Sequence, residues 1–195
     1  MQTTNIHQAV RKYFEEVSSG MQGVSLEKME KIARILFEAY TSDRKIIIFG
    51  NGGSAANASH FVCDLGKGAS MPGKKRFKVM ALCDNIPTMT AYANDASYED
   101  IFAEQLKNIV EAGDVVIALS GSGNSRNVLK AVELAIQYPA VTIGLTGFQG
   151  GKLKSLVSEC LIVPSECMEQ IEDIHLVVLH ALKIVLMGML AQQSR

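Results

Sequence analysis

Three of the chain's four histidines lie close to carboxylates in just two segments. His60 and Asp64 are spaced i,i+4, and Glu172, His175 and His180 gather near the C-terminus. On a helix an i,i+4 pair shares one face. Imidazole and carboxylate together suit two chemistries: holding zinc or a related divalent ion, and moving protons near neutral pH. A helix-surface pair and a packed histidine in an apolar helix have the same spacing, so both kinds of reading stand. Geometry adds a constraint. If Glu172 and His180 share a helix, eight residues put ~12 Å of rise between them, while each ligand of a metal sits ~2 Å from it. Either Glu172 precedes the helix, or two subunits supply the pair. His175, at i,i+3 from Glu172, is the competing ligand.

A second kind of chemistry is written into two Gly/Ser loops. Ile46-Ile47-Ile48-Phe49 runs into Gly50-Asn51-Gly52-Gly53-Ser54, and Val115-Val116-Ile117-Ala118-Leu119 runs into Ser120-Gly121-Ser122-Gly123-Asn124-Ser125. Each has the pattern of a buried strand feeding a helix. Glycine lets backbone approach a ligand, and the helix that follows aims free N–H groups and the positive end of its dipole at it. Serine hydroxyls add donors, so each loop favours an anion, above all a phosphate. Neither loop carries the Gly-x-x-x-x-Gly-Lys-Ser/Thr of nucleotide triphosphatases, and Ala55 stands where a dinucleotide loop has its third glycine. Ordinary βα turns are also rich in Gly and Ser, but two such loops together favour phosphate. Asn94-Asp95 forms a polar pair that reads either as a turn or as a loop facing the ligand.

The elements that must position these residues follow from hydrophobic periodicity. Near-continuous apolar runs predict strands at 45–49, 77–83, 114–119, 141–146 and 159–163, as a parallel sheet covered on both faces requires. Helices are predicted at 54–66, 98–111, 125–137 and 168–191, with a short one near 86–93. Residues 5–40 read as two leading helices, the second capped by Ser25. Met29, Ile32, Ala33, Leu36 and Phe37 form an apolar stripe on it. That stripe and the apolar stretch 174–190 are expected to cover a subunit interface. Alternating βα units imply an α/β, doubly wound sandwich in one domain. Ligands in such sheets sit beyond the strand carboxyl ends, where the strand order reverses.

Composition narrows the function. Nineteen basic residues face twenty acidic ones, which argues against nucleic acid and anionic membranes as partners. Ile174–Leu190 comes closest to the ~18 uncharged apolar residues of a membrane span, but His175, His180 and Lys183 interrupt it. The N-terminus reads as an amphipathic helix and not a signal peptide. Cys63, Cys83, Cys160 and Cys167 show no CxxC spacing. They read as reduced thiols of a cytoplasmic protein.

In order along the chain stand Gly-Asn-Gly-Gly-Ser, His-Phe, Asn-Asp before Ile-Phe, Ser-Gly-Ser-Gly-Asn-Ser, Leu-Thr-Gly and a terminal Ile-His…His helix. This series resembles the sugar isomerase (SIS) domain, and within it the phosphoheptose isomerase branch, over nearly the whole chain. The resemblance implies a five-stranded parallel α/β sandwich and a homotetramer with active sites between subunits. The implied reaction is sedoheptulose 7-phosphate isomerisation to D-glycero-D-manno-heptose 7-phosphate through an enediol, in bacterial heptose synthesis. It places phosphate on Ser120, Ser122 and Ser125, with Gly121 where a threonine is common. Asn51, Gly52, Gly53, Ser54, Asn94 and Asp95 would line the sugar. Family zinc ligands map to His60, Asp64, Glu172 and His180, and the proton-transfer role to Asp64, Glu172 and His180. Asp64, one methylene shorter, replaces the usual glutamate, and Glu172 replaces the usual glutamine, a paired change that adds a carboxylate at 172. The competing reading is a non-catalytic SIS protein that binds a sugar phosphate or a protein such as the replication initiator.

Overall fold

A computed structural model describes residues 5–192, so residues 1–4 and 193–195 lie outside the description, including the start and end of the predicted 1–195 domain. Five parallel strands form one sheet: β1 (Lys45–Gly50), β2 (Lys78–Ala81), β3 (Val115–Leu119), β4 (Val141–Thr146) and β5 (Glu159–Ile162). They lie in the order β2-β1-β3-β4-β5. The chain steps outward from β1 to β2 and then returns past β1 to β3. The order therefore reverses between β1 and β3, whose ends are in register at Gly50 and Leu119.

Alternation of side chains splits the apolar strands between two cores. Ile46 and Ile48 of β1 face one side with helices α2 (Leu26–Thr41), α3 (Gly52–Cys63) and α8 (Met168–Gln192). Ile47 and Phe49 face the other, against α5 (Ala103–Lys107), α6 (Arg126–Gln137) and the short α7 (Leu153–Leu156). Both faces of the sheet are buried, which is why its strands carry continuous apolar runs. Helix α4 (Ile86–Asp95) crosses beyond β2.

The leading helices, α1 (Ile6–Gln22) and α2, pack on α8 of the same chain. The Tyr13 hydroxyl donates to Asp173 at 2.6 Å and the Gln170 amide to Glu16 at 2.8 Å. Ser25 caps α2, accepting from the Lys28 N–H. Here the structure corrects an expectation. Ile32 and Leu36 of the stripe, and Ile174, Leu182 and Leu186 of the last helix, are buried in this chain's own core rather than left for a subunit interface. Exposed on the three packed helices are Ile6, Val10, Phe14 and Met21 of α1, Leu26 of α2, and Met168, Val177, Ile184 and Val185 of α8.

Two helices depart from their predicted spans. The 98–111 helix breaks into a tight turn at Tyr98–Asp100 and α5, because Ser97 bonds both Asp100 and the Glu99 N–H and folds the chain back. Helix α3 starts at Gly52, and its axis passes at Asp64 into a wider π-helical segment, Asp64–Gly68. Single-turn π segments are rare and recur at functional sites. Helix α8 has the length and hydropathy of a membrane span, yet nine of its residues are buried in the core.

Candidate active site

The two Gly/Ser loops meet at the switch point between β1 and β3. Between them opens a cleft of about 250 Å³, lined by Asn51, Gly52, Ser54, Ser120, Ser122 and Ser125, with Met168 and Glu172 of α8 forming its other wall. The Ser120 and Ser125 hydroxyls lie 3.2 Å apart. Ser125 stands at the N-cap of α6 without using its side chain there, so its hydroxyl and the first-turn N–H groups are available to an anion. The predicted phosphate residues Ser120, Ser122 and Ser125 are thus brought together, with Asn51, Gly52 and Ser54 across from them.

The loops are held from both sides. Asn51 and Asn127 exchange amide bonds in both directions at 2.9 Å, and Tyr98 donates to the Asn51 oxygen at 3.0 Å. Asn127 is buried and ties the first loop to the opening turn of α6. The pattern Asn-Val after the serines carried no signal of this pairing. The serine loop also rests on the loop after β4: the Gly147 N–H donates to the Gly121 carbonyl at 2.8 Å and the Leu153 N–H to the Gly123 carbonyl at 3.0 Å. Gly123 has φ +65°, and a Cβ there would overlap the Gly150 carbonyl. A Cβ on Gly121 would meet the Met168 sulfur, so a larger residue there requires the flexible Met168 side chain to move aside.

Glu172 enters the cleft so closely that a Cβ on Gly53 would overlap its carboxylate. Burial pushes its carboxyl above the usual range, opposed by a hydrogen bond from the Ser54 N–H. The buried Asn57 amide grips the Glu172 carbonyl at 2.8 Å and fixes this turn of α8 to α3. Asn94 and Asp95 are not part of the cleft lining. They end α4 on the surface, where the Asn94 amide donates to Asp95 at 2.8 Å.

The second cluster lies further along α3 and α8. His60, Asp64 and His180 offer ligand atoms within 4.8 Å of one another. The His60 and His180 Nε2 atoms are 3.0 Å apart, and Asp64 Oδ2 is 3.7 Å from the first and 3.4 Å from the second. Ligands ~2.0–2.1 Å from a tetrahedral zinc sit ~3.3 Å apart, so this triangle is close to the size a single ion needs. Among the described residues Asp64 Oδ2 is moreover buried without a hydrogen-bond partner, a position that costs free energy unless a cation or proton faces it. The donor set therefore fits a divalent ion.

Two expected ligands lie elsewhere. Glu172 belongs to α8, eight residues before His180, so it does not precede the helix, and its carboxylate faces Gly53. His175 is fully buried, with Nε2 3.2 Å from the Thr146 carbonyl. Facing the sheet, it cannot compete as a ligand. Burial lowers its pKa to about 4.

A doubly wound sheet with two donor-rich loops at its switch point and an imidazole–carboxylate cluster defines a phosphate-binding α/β protein with acid–base or metal chemistry. A family model described as the SIS domain matches residues 12–147. Over 170 residues the chain is 40% identical to a probable phosphoheptose isomerase of Thermoplasma acidophilum, covering 87% of this chain and 93% of that protein. It is 38% identical over 168 residues to a phosphoheptose isomerase of Helicobacter pylori, covering 86% of each. The structure of the phosphoheptose isomerase from Neisseria gonorrhoeae aligns with a TM-score of 0.87 at 29% identity, over 93% of this chain and 98% of that one. The Vibrio vulnificus NanR protein shares the fold alone, at a TM-score of 0.71 and 17% identity. The chain belongs to the SIS-domain family and, within it, to the phosphoheptose isomerases.

Proposed function

We propose that this protein isomerises a sugar phosphate, sedoheptulose 7-phosphate, to the corresponding aldose phosphate through an enediol. The observation that carries the reading is the cleft in which Ser120, Ser122 and Ser125 face a desolvated Glu172 carboxylate. The serine loop and the α6 N-terminus bind the phosphate and hold the reacting carbons at a fixed distance from it. A base takes the proton from the carbon beside the carbonyl, and the same proton returns to the neighbouring carbon. The raised pKa of Glu172 suits a carboxylate that takes up and releases a proton. His180, or Asp64 by its shorter reach, serves the oxygens. His60, Asp64 and His180 would hold a zinc-class ion, which supplies electrophilic help to a developing oxyanion.

The helix rise separates the Glu172 cleft from the His180 cluster by ~12 Å within one chain. We therefore assign the working site to an assembly, a homotetramer, in which the cleft of one copy faces the cluster of another. The exposed apolar residues Ile6, Val10, Phe14 and Ile184 supply surface for such contacts. Asn94 and Asp95, at the surface end of α4, would reach the sugar only in that assembly. The four free cysteines accord with the cytoplasm. The test is purified protein with sedoheptulose 7-phosphate, followed by NMR for the aldose product before and after chelation and zinc return. Product formation that chelation abolishes and zinc restores is expected. Binding without turnover would mark a non-catalytic sugar-phosphate protein and overturn the reading.

A further inference from the structure

The apolar helix α8 carries one lysine, Lys183, and its setting is unusual. It follows His180 by three residues, so the two share a helix face. Lys183 is half-buried, and among the described residues it makes no ion pair and no hydrogen bond. Its stem crosses the π-helical turn at Gly68: a Cβ on Gly68 would sit 3.4 Å from Lys183 Cε and 3.8 Å from both Lys183 Nζ and Asp64 Oδ1. The two oxygens of Asp64 thus face different ways. Oδ2 points to His60 and His180, while Oδ1 lies on the Lys183 side.

A lysine is costly to bury without a partner, and nothing in the apolar surroundings of α8 requires one. Three free ammonium donors beside the cluster suit an oxygen that carries negative charge. A Cβ on Gly68 would stand in ordinary contact with that stem, so a large side chain there would compete with the lysine for the same space. We infer that Lys183 is a substrate-contacting cation, whose ammonium donates to the carbonyl oxygen of the sugar at the cluster end of the site. The inference rests on the isomerase reading above. In that reaction the base removes the C–H proton, the C–H electron pair becomes the enediol double bond, and the carbonyl pair moves onto oxygen. Lys183 stabilises that oxygen as its charge grows and gives up no net proton. A group that acts on developing charge changes kcat more than KM.

The experiment compares wild type with Lys183→Met, which keeps the stem and removes the charge, Lys183→Arg, which keeps a cation, and Gly68→Leu, which displaces the stem. Sedoheptulose 7-phosphate turnover gives kcat and KM. Zinc affinity of the metal-free proteins is read separately by competition with a chromogenic chelator, and folding by thermal melting. Lys183→Met should lose ~10²-fold in kcat, the scale of one oxyanion donor, with KM within a few-fold. Zinc should bind it at least as tightly as wild type, because a like charge has left the cluster. Lys183→Arg should recover at least part of the loss, and Gly68→Leu should lose kcat although its lysine remains. If Lys183→Met keeps kcat within threefold of wild type, or loses zinc affinity in parallel with kcat, the inference is wrong: the lysine is then inert or supports the ligands. An inactive wild type would instead sink the isomerase reading, and the two failures are thereby distinct.

Discussion

His175 should make this protein acid-sensitive, and His175→Gln should remove that sensitivity. The ring has no solvent exposure, and its Nε2 faces the Thr146 carbonyl at 3.2 Å. A carbonyl only accepts, so Nε2 carries the proton and donates. Nδ1 is then an unprotonated acceptor, buried with no partner. Protonating it would place a full charge in the core, and burial accordingly lowers the pKa from 6.5 to about 4. The folded pKa lies below the unfolded one. Between pH ~6.5 and ~4 the unfolded chain therefore binds a proton that the folded chain refuses, and stability falls as pH falls through that window. At 1.36 kcal/mol per unit, a displacement of this size corresponds to about 3 kcal/mol, a large share of a typical 5–15 kcal/mol. Urea unfolding at fixed protein concentration, at pH 7, 6, 5 and 4.5, would measure it. Glutamine keeps an amide donor for Thr146 and does not titrate. The wild-type curve should converge on or cross the variant's as the pH drops, by about 2–3 kcal/mol in relative terms. Parallel curves for the two proteins would refute the reasoning.

Three further outcomes are expected. Ser120→Ala and Ser125→Ala should each weaken sugar-phosphate binding by about 1–3 kcal/mol, and unchanged calorimetric affinity in both would remove the serine loop from the phosphate site. Gly123→Ala forces a Cβ against the Gly150 carbonyl at positive φ, where an L-residue already costs ~1–2 kcal/mol; lowered melting temperature together with weaker phosphate binding is expected, and wild-type values for both would contradict the interlocked loops. Glu172→Gln should cut turnover ~10²-fold or more. Because burial raises the Glu172 pKa, and the base works deprotonated, the acid limb of the wild-type kcat/KM profile should lie above the ordinary carboxylate range. A profile flat through that region would exclude Glu172 as the base.

The fold was legible because the central strands are apolar on both faces. Ile46-Ile47-Ile48-Phe49 serves two cores at once, and no half-exposed strand would read that way. The serine-lined cleft was legible for a related reason: its donors lie within two short loops, so local sequence holds most of its lining. Asn127 and Lys183 were not legible. Their partners, Asn51 and the Gly68 turn, lie 76 and over a hundred positions away, and neither forms a pattern with its own neighbours. His175 looked like a ligand because i,i+3 spacing from Glu172 describes adjacency on a helix. It says nothing about which side of the helix meets the sheet.

Glu172 shows how helix geometry restricts function. As part of α8, with ~12 Å of rise to His180, it lies outside the His60, Asp64 and His180 group. Its carboxylate is instead desolvated against the Gly53 backbone, in the cleft where the serines converge. The same helix thus presents the Glu172 carboxylate to the serine cleft and, two turns on, His180 to a separate cluster. A seven-carbon sugar phosphate needs an anion site at one end and proton transfer with charge stabilisation at the other. In the assembly proposed above, two copies each complete the other's site. Dilution of the protein below the dissociation constant of the assembly should then abolish turnover while leaving phosphate binding at the serine loop intact. Turnover per chain that stays constant through dissociation, followed by light scattering, would require both halves of the chemistry to come from one copy.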